Sequence, residues 1–258
     1  MSALSIDLPE LEVQLAASAR RTRITLLFAV ILATSVSGFL LALASYLRPI
    51  GRSAFPTFAE LAEHRSYVWA FFLVAGIQLV VGVSAAAIAG LVLTPARGSR
   101  LATIGAALLF LGAAAYGVGI GGWATVYWFG TDTTVLDPAA ASRLIHEANH
   151  DVTHMLVIPI AGAVIVGLGS LVLSVGVWRA ATVPRTVIIL SVLSTIATVV
   201  ARPDTFFGLS AELVSSLTTI ALGWYALRMV VPPLRENRSR SIQLRRVFAG
   251  AISERSRS

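Results

Sequence analysis

Apolar residues run along this chain in long unbroken blocks, not in the alternating pattern of half-buried strands or the narrow stripe of a soluble amphipathic helix. A helix needs about 20 apolar residues to cross the roughly 30 Å hydrocarbon core of a bilayer. Five stretches reach that length with little or no formal charge: Ile24–Leu47, Tyr67–Leu93, Leu101–Phe129, Met155–Trp178 and Phe206–Val231. A sixth, Thr186–Ala201, is short, and Val183 and Pro184 extend it at its entry to give a span over 183–201. The expected fold is therefore an all-α integral membrane protein. A six-transmembrane-helix bundle occupies 24–231, between an N-terminal segment, 1–23, and an Arg-rich tail, 232–258.

Short polar segments between the spans carry the orientation. The basic residues are all Arg, and they bias topology because cytoplasmic loops retain positive charge. With the N-terminus in the cytoplasm, the inner segments hold Arg20, Arg21, Arg23, Arg97, Arg100, Arg179, Arg185 and the cluster from Arg228 to Arg257. The outer loops keep only Arg48, Arg52, Arg65, Arg143 and Arg202, beside most of the acids. Both termini are expected on the cytoplasmic face of a plasma membrane. Ala42-Leu43-Ala44 before Ser45 fits a signal-peptidase site, but the apolar run ahead of it exceeds the roughly 7–15 residues of a signal peptide's core, so an uncleaved anchor is expected.

Composition narrows the chemistry. The chain is 56% hydrophobic and 13% charged, with mean hydropathy +0.81, whereas soluble domains carry about 25% charged residues. There is no Cys, which removes disulfides, thiolate nucleophiles and Cys-held metals. There is no Lys, which removes Schiff-base chemistry and a phosphate-binding Walker lysine. Leu244, Val247, Phe248, Ala251 and Ile252 fall at helical spacing in the tail, with arginines off that stripe, and predict an amphipathic helix on anionic inner-leaflet lipids. Ser2–Ser18, with Leu8, Leu11 and Leu15 nearly in register, suggests a second surface helix. The expected partners are the bilayer and, through small-residue faces, another membrane protein; nucleic acid is not among them.

Small residues predict which spans pack closely. The second span has Gly82 to Gly90, the third a Gly117/Gly121 pair, and the fourth Ala163/Gly167 and Ser170/Ser174. These three are expected to form the tight centre. On the fifth span Ser191, Ser194, Thr195 and Thr198 share one face, and the sixth answers with Ser215, Ser216, Thr218 and Thr219. Such hydroxyls usually serve as interhelical or i−4 hydrogen-bond glue; a polar cavity is the alternative.

The chemistry-bearing motif lies in the third outer loop. Asp137-Pro138 reads as an N-cap followed by a first-turn proline, opening a helix through His154. His146, His150 and His154 fall at i, i+4 and i+8, and His146-Glu147-x-x-His150 is an H-E-x-x-H pattern. That spacing places two imidazoles over one metal, with the intervening Glu close enough to deprotonate its water. His146 and His154 stand about 12 Å apart along a helix and cannot share an ion. His150 and His154 form a second such pair, and Asp151 is counted with the cluster. A third ligand is expected from Glu60, Glu63 or His64 in the first outer loop, itself expected to form a short surface helix, or from Asp204 or Glu212 at the outer end of the last span. An acid within a span is a functional candidate in its own right. The expectation is a multi-pass plasma-membrane protein with an outer His/carboxylate site for a divalent metal, zinc foremost, or for proton sensing. The alternatives are a membrane zinc hydrolase with Glu147 as general base, and a non-catalytic accessory subunit.

Overall fold

The computed structural model describes residues 8–47, 56–201 and 204–230, and all regular structure among them is helical. The helices are α1 (Leu8–Leu47), α2 (Phe58–Glu63), α3 (Arg65–Leu93), α4 (Ser99–Gly130), α5 (Pro138–His150), α6 (Val157–Ala180), α7 (Arg185–Val200) and α8 (Phe206–Val230). A single π turn, Val152–Leu156, joins α5 to α6. Among the described residues five helices are long and apolar enough to cross a membrane; α7, with 16 residues, is a shorter apolar helix. Large side chains such as Val118, Val200 and Phe206 project outward from the bundle. That surface suits lipid, since soluble monomers rarely expose contiguous apolar area on this scale.

The first helix differs from expectation. α1 is one helix of 40 residues in which the first span continues back to Leu8, so Ser2–Ser18 does not form a separate surface element over its described part. The physical reason is that nothing interrupts it: Pro9 sits in the first turn, where its missing N–H costs nothing, and no Gly or Pro follows until Gly38. The tail helix expected around Leu244–Ile252 lies outside the described residues.

The helices form two layers. In one, α4 packs most extensively on α6 and then on α3; in the other, α8 packs on α1 and α7. Contacts of α3 with α1 and α8, and of α6 with α7, join the layers. The α4–α6 seam is built on glycines seven residues apart: Gly98, Gly105, Gly112 and Gly119 face Gly176, Gly169, Gly162 and Pro159 in antiparallel order. A Cβ on Gly105 would stand 2.5 Å from the Leu173 nitrogen, and one on Gly112 2.7 Å from that of Val166. Gly98 also has φ +80°, a left-handed conformation that begins α4 against Gly176. The second, third and fourth spans do form the close-packed layer, but through other glycines than the expected pairs. Gly121 and Gly167 have open space where a Cβ would be, and Gly117 touches a valine side chain.

Apolar clusters close both ends. Leu61, Val68, Tyr127 and Ile145 pack where α2 and α5 cap the bundle. Ile31, Leu93, Val177, Val183, Ile188 and Ala226 fill the opposite end.

Candidate functional site

Between the two layers lies a cavity of about 270 Å³. Thr34 and Ser35 of α1, Gln78 and Gly82 of α3, Ser170 and Ser174 of α6, Ser191, Thr195 and Thr198 of α7, and Glu212, Ser215, Ser216 and Thr219 of α8 supply its polar lining. Glu212 is the one acid, and Gln78 the one amide side chain, in the apolar cores of the spans. The fold brings them together. A Cβ on Gly38 would fall 2.7 Å from Gln78 Nε2 and 3.0 Å from Glu212 Oε1, so the absence of a side chain at 38 gives both polar groups their place beside α1. Towards the opposite end the walls become apolar, with Leu93, Leu173, Val177, Ile188 and Leu222.

Five of the hydroxyls in this lining donate to the backbone. Thr34 donates to the Val30 carbonyl at 2.8 Å, Thr195 to Ser191 at 2.8 Å, Thr198 to Thr195 at 3.0 Å and Thr219 to Ser215 at 2.8 Å. Ser216 crosses to the Ser35 carbonyl of α1 at 3.0 Å, a buried bond between helices. The glue role expected for these residues is therefore met, and the polar cavity exists beside it. The two were not alternatives, because a hydroxyl has one proton and two lone pairs.

The histidine helix opens where its sequence predicts but ends at His150, and the expected continuation to His154 is broken because the Asp151 side chain caps a new π turn that holds His154. Asp137 caps α5 by accepting from the Ala139 and Ala140 amides at 3.0 Å each, with Pro138 in the first turn. One face is buried: Ile145 packs on Tyr127 and Leu61, and Asn149 accepts from the Tyr127 hydroxyl at 2.6 Å while donating to the Pro56 carbonyl at 3.1 Å. His146, Glu147 and His150 project from the exposed side. The rings of His146 and His150 stack with centroids 4.3 Å apart, and His150 Nδ1 lies 2.7 Å from the His146 carbonyl.

The other expected ligands are elsewhere. The helix ends at Asp151, which caps the π turn through the Thr153 and His154 amides and stands 3.0 Å from His154 Nδ1. These hydrogen bonds, that of the Thr153 hydroxyl first, hold its carboxyl down at about 2. His64 ends α2 on the exposed surface, and Glu212 faces Gly38 and Gln78 inside the bundle. Among the described residues no three His, Asp or Glu side chains come together as a metal-ligating group. The stacked pair is thus left short of the third protein ligand that a zinc centre needs.

No family model, curated protein or solved structure matches the chain. Function has to be read from the sites themselves. Of the residues in the cavity, Glu212 and the hydroxyl faces of α7 and α8 are legible in the sequence. Gln78, Thr34 and Ser35 are not singled out by it, although a lone amide amid an apolar span is a signal of the same kind as a lone acid.

Proposed function

We propose that this multi-pass membrane protein is a carrier that binds a small solute inside the bilayer, in the cavity between its two helix layers. The observation that carries the reading is the convergence of Gln78 and Glu212 over Gly38 at the polar end of that cavity. Polar and ionisable groups are costly within a membrane and are found where they face a pathway, a ligand or each other. About 270 Å³ of space adjoins both, more than helix-to-helix glue alone requires. Ligand sites are commonly about 300–1,000 Å³, so the cavity suits a small molecule and not a lipid. A site at the boundary of two packed layers also suits alternating access, in which one group of helices rocks against the other around a fixed binding point.

In this reading α7 is a sixth span. Its 16 residues rise about 24 Å, a modest mismatch with a roughly 30 Å core that local thinning and flanking residues accommodate. Six crossings put both termini on one face. The arginine bias supports the cytoplasmic face of a plasma membrane, with α2, α5 and the histidines outside.

The absence of native Cys makes the test direct. Thr219→Cys, inside the cavity, and Leu217→Cys, on the bundle exterior, are exposed to N-ethylmaleimide in membranes. A thiol must ionise to react, so Thr219→Cys is expected to label through water in the cavity and Leu217→Cys to stay unmodified in lipid. Failure of Thr219→Cys to label in membranes, while it labels after denaturation, would exclude a solute-accessible cavity.

A further inference from the structure

The charge and hydrogen-bonding character of the cavity specify its ligand more narrowly. Thr34, Thr195, Thr198, Ser216 and Thr219 each donate their hydroxyl proton to a backbone carbonyl. Towards the cavity such hydroxyls have only lone pairs left to offer. Glu212 adds a carboxylate, and the residues lining the cavity include no Arg and no His. An anion would find donors in the Gln78 amide and in the hydroxyls of Ser35, Ser170, Ser174, Ser191 and Ser215 but no cationic side chain, whereas a cation rich in N–H donors would find the Glu212 carboxyl and the lone pairs of the bonded hydroxyls. A carboxylate in a span also requires a counter-charge or a proton.

The lining is graded along its length. Gln78, Thr198 and Glu212 lie towards one end, and Leu93, Val177, Ile188 and Leu222 towards the other. Glu212 and Leu222 are about 15 Å apart along α8. A bare inorganic ion would use only the polar end. The volume, about 270 Å³, compares with the roughly 150 Å³ cavity that holds benzene, so it accommodates an ammonium head with a ring or a short alkyl chain.

We infer that the ligand is a small amphiphilic primary ammonium, with its –NH₃⁺ at Glu212, Gln78 and the α7–α8 hydroxyls and its apolar end along Leu93, Val177 and Leu222. This rests on the reading of the cavity as a solute site. A primary ammonium presents three N–H donors to the acceptor lining, and a quaternary ammonium presents none.

Two measurements on the full chain test it. In membranes, Thr219→Cys is modified by methanethiosulfonates bearing an ethylammonium or an ethylsulfonate group, and the rate ratio is compared with that for free 2-mercaptoethanol. The cationic reagent is expected to be favoured by at least about tenfold over that reference, equivalent to about 1.4 kcal/mol. Equal ratios would overturn the cationic ligand while leaving the solute cavity intact; no reaction with either reagent would remove both readings. In calorimetry on the purified protein, 2-phenylethylammonium is expected to bind. Its neutral isostere 2-phenylethanol and its N,N,N-trimethyl derivative are expected to bind at least about tenfold more weakly, and Glu212→Gln to abolish the ammonium signal. No heat from the ammonium, or equal affinity for the alcohol, would overturn the inference. Should Glu212→Gln not fold, the thiol rate ratio still decides, since it is measured with Glu212 present.

Discussion

The Tyr127 hydroxyl donates to Asn149 Oδ1 at 2.6 Å, and this buried bond ties the end of α4 to the last turn of α5. Asn149 then donates to the Pro56 carbonyl ahead of α2, so one amide ties together α4, α5 and the segment ahead of α2. Tyr127→Phe keeps the ring packed on Phe72 but leaves Asn149 a partner short. An unsatisfied buried polar group costs about 1–3 kcal/mol. The melting temperature in detergent is expected to fall for Tyr127→Phe and for Asn149→Ala, and the double variant to lose less than the two singles combined. Strict additivity would mean that the bond does not contribute.

The glycine seam makes a contrast of sign. Gly105→Val pushes a branched side chain into the backbone of α6 and is expected to prevent α4 and α6 from closing, seen as loss of a monodisperse species on size exclusion. Gly121→Ala meets open space and raises helix propensity by about 0.8–1 kcal/mol, so it is expected to be neutral or stabilising. If both variants behaved alike, the seam would not be where the helices are held.

Acid should loosen the end of the bundle that α2 and α5 cap. Asp132 accepts from Arg65 Nη2 at 2.8 Å and from the Thr134 hydroxyl and amide, and its carboxyl is held down at about 2. The Thr134 bonds are the larger cause and the guanidinium the smaller. A carboxyl that holds its proton less tightly when folded stabilises the fold fully above its ordinary value near 3.8 and loses that contribution as pH falls towards 2. Asp151 behaves in the same direction. The melting temperature is expected to hold between pH 6 and about 4 and to drop below that, less steeply in Asp132→Asn. A drop of the same steepness in Asp132→Asn would assign the acid sensitivity to other groups.

Zinc is expected to bind the histidine face of α5 only weakly. His146 and His150 are stacked and adjacent, but no third ligand joins them among the described residues. Metal content after zinc is offered and washed should be substoichiometric, and unchanged by His146→Ala/His150→Ala. About one zinc per chain, lost in that double variant, would restore the metal reading and justify testing Glu147→Gln.

Much of the architecture is legible in the sequence because membrane spans are read from length and hydropathy, which need no partner. The boundaries of α3, α4 and α8 fall within two residues of the apolar blocks that predict them. Asp137 and Pro138 open α5 because capping is local chemistry. What the sequence conceals is rotation about each helix axis. Gly117 and Gly121 satisfy a four-residue spacing, yet the face they mark is not the one that packs on α6. The period that matters is seven, and it is recognisable once α4 and α6 are aligned antiparallel. Glu212 stands out as a lone acid, but its neighbour could not be named without the fold, since Gln78 reaches it from α3 only through the space that Gly38 leaves. The histidines are a converse case: the spacing of His146 and His150 along α5 is met, although His154 falls beyond the helix, while a metal site depends on what lies opposite, and that is tertiary.

α1 continues as an unbroken helix for 40 residues, about 60 Å at 1.5 Å per residue, or twice the depth of the hydrocarbon it crosses. Gly38, where Gln78 and Glu212 meet, lies on the part of it inside the bundle. A rod of that length anchored at one end is a lever: a small change of tilt beside the cavity becomes a larger sweep at Leu8. Under the carrier reading, occupancy of the cavity would be expected to register at Leu8 through this one helix.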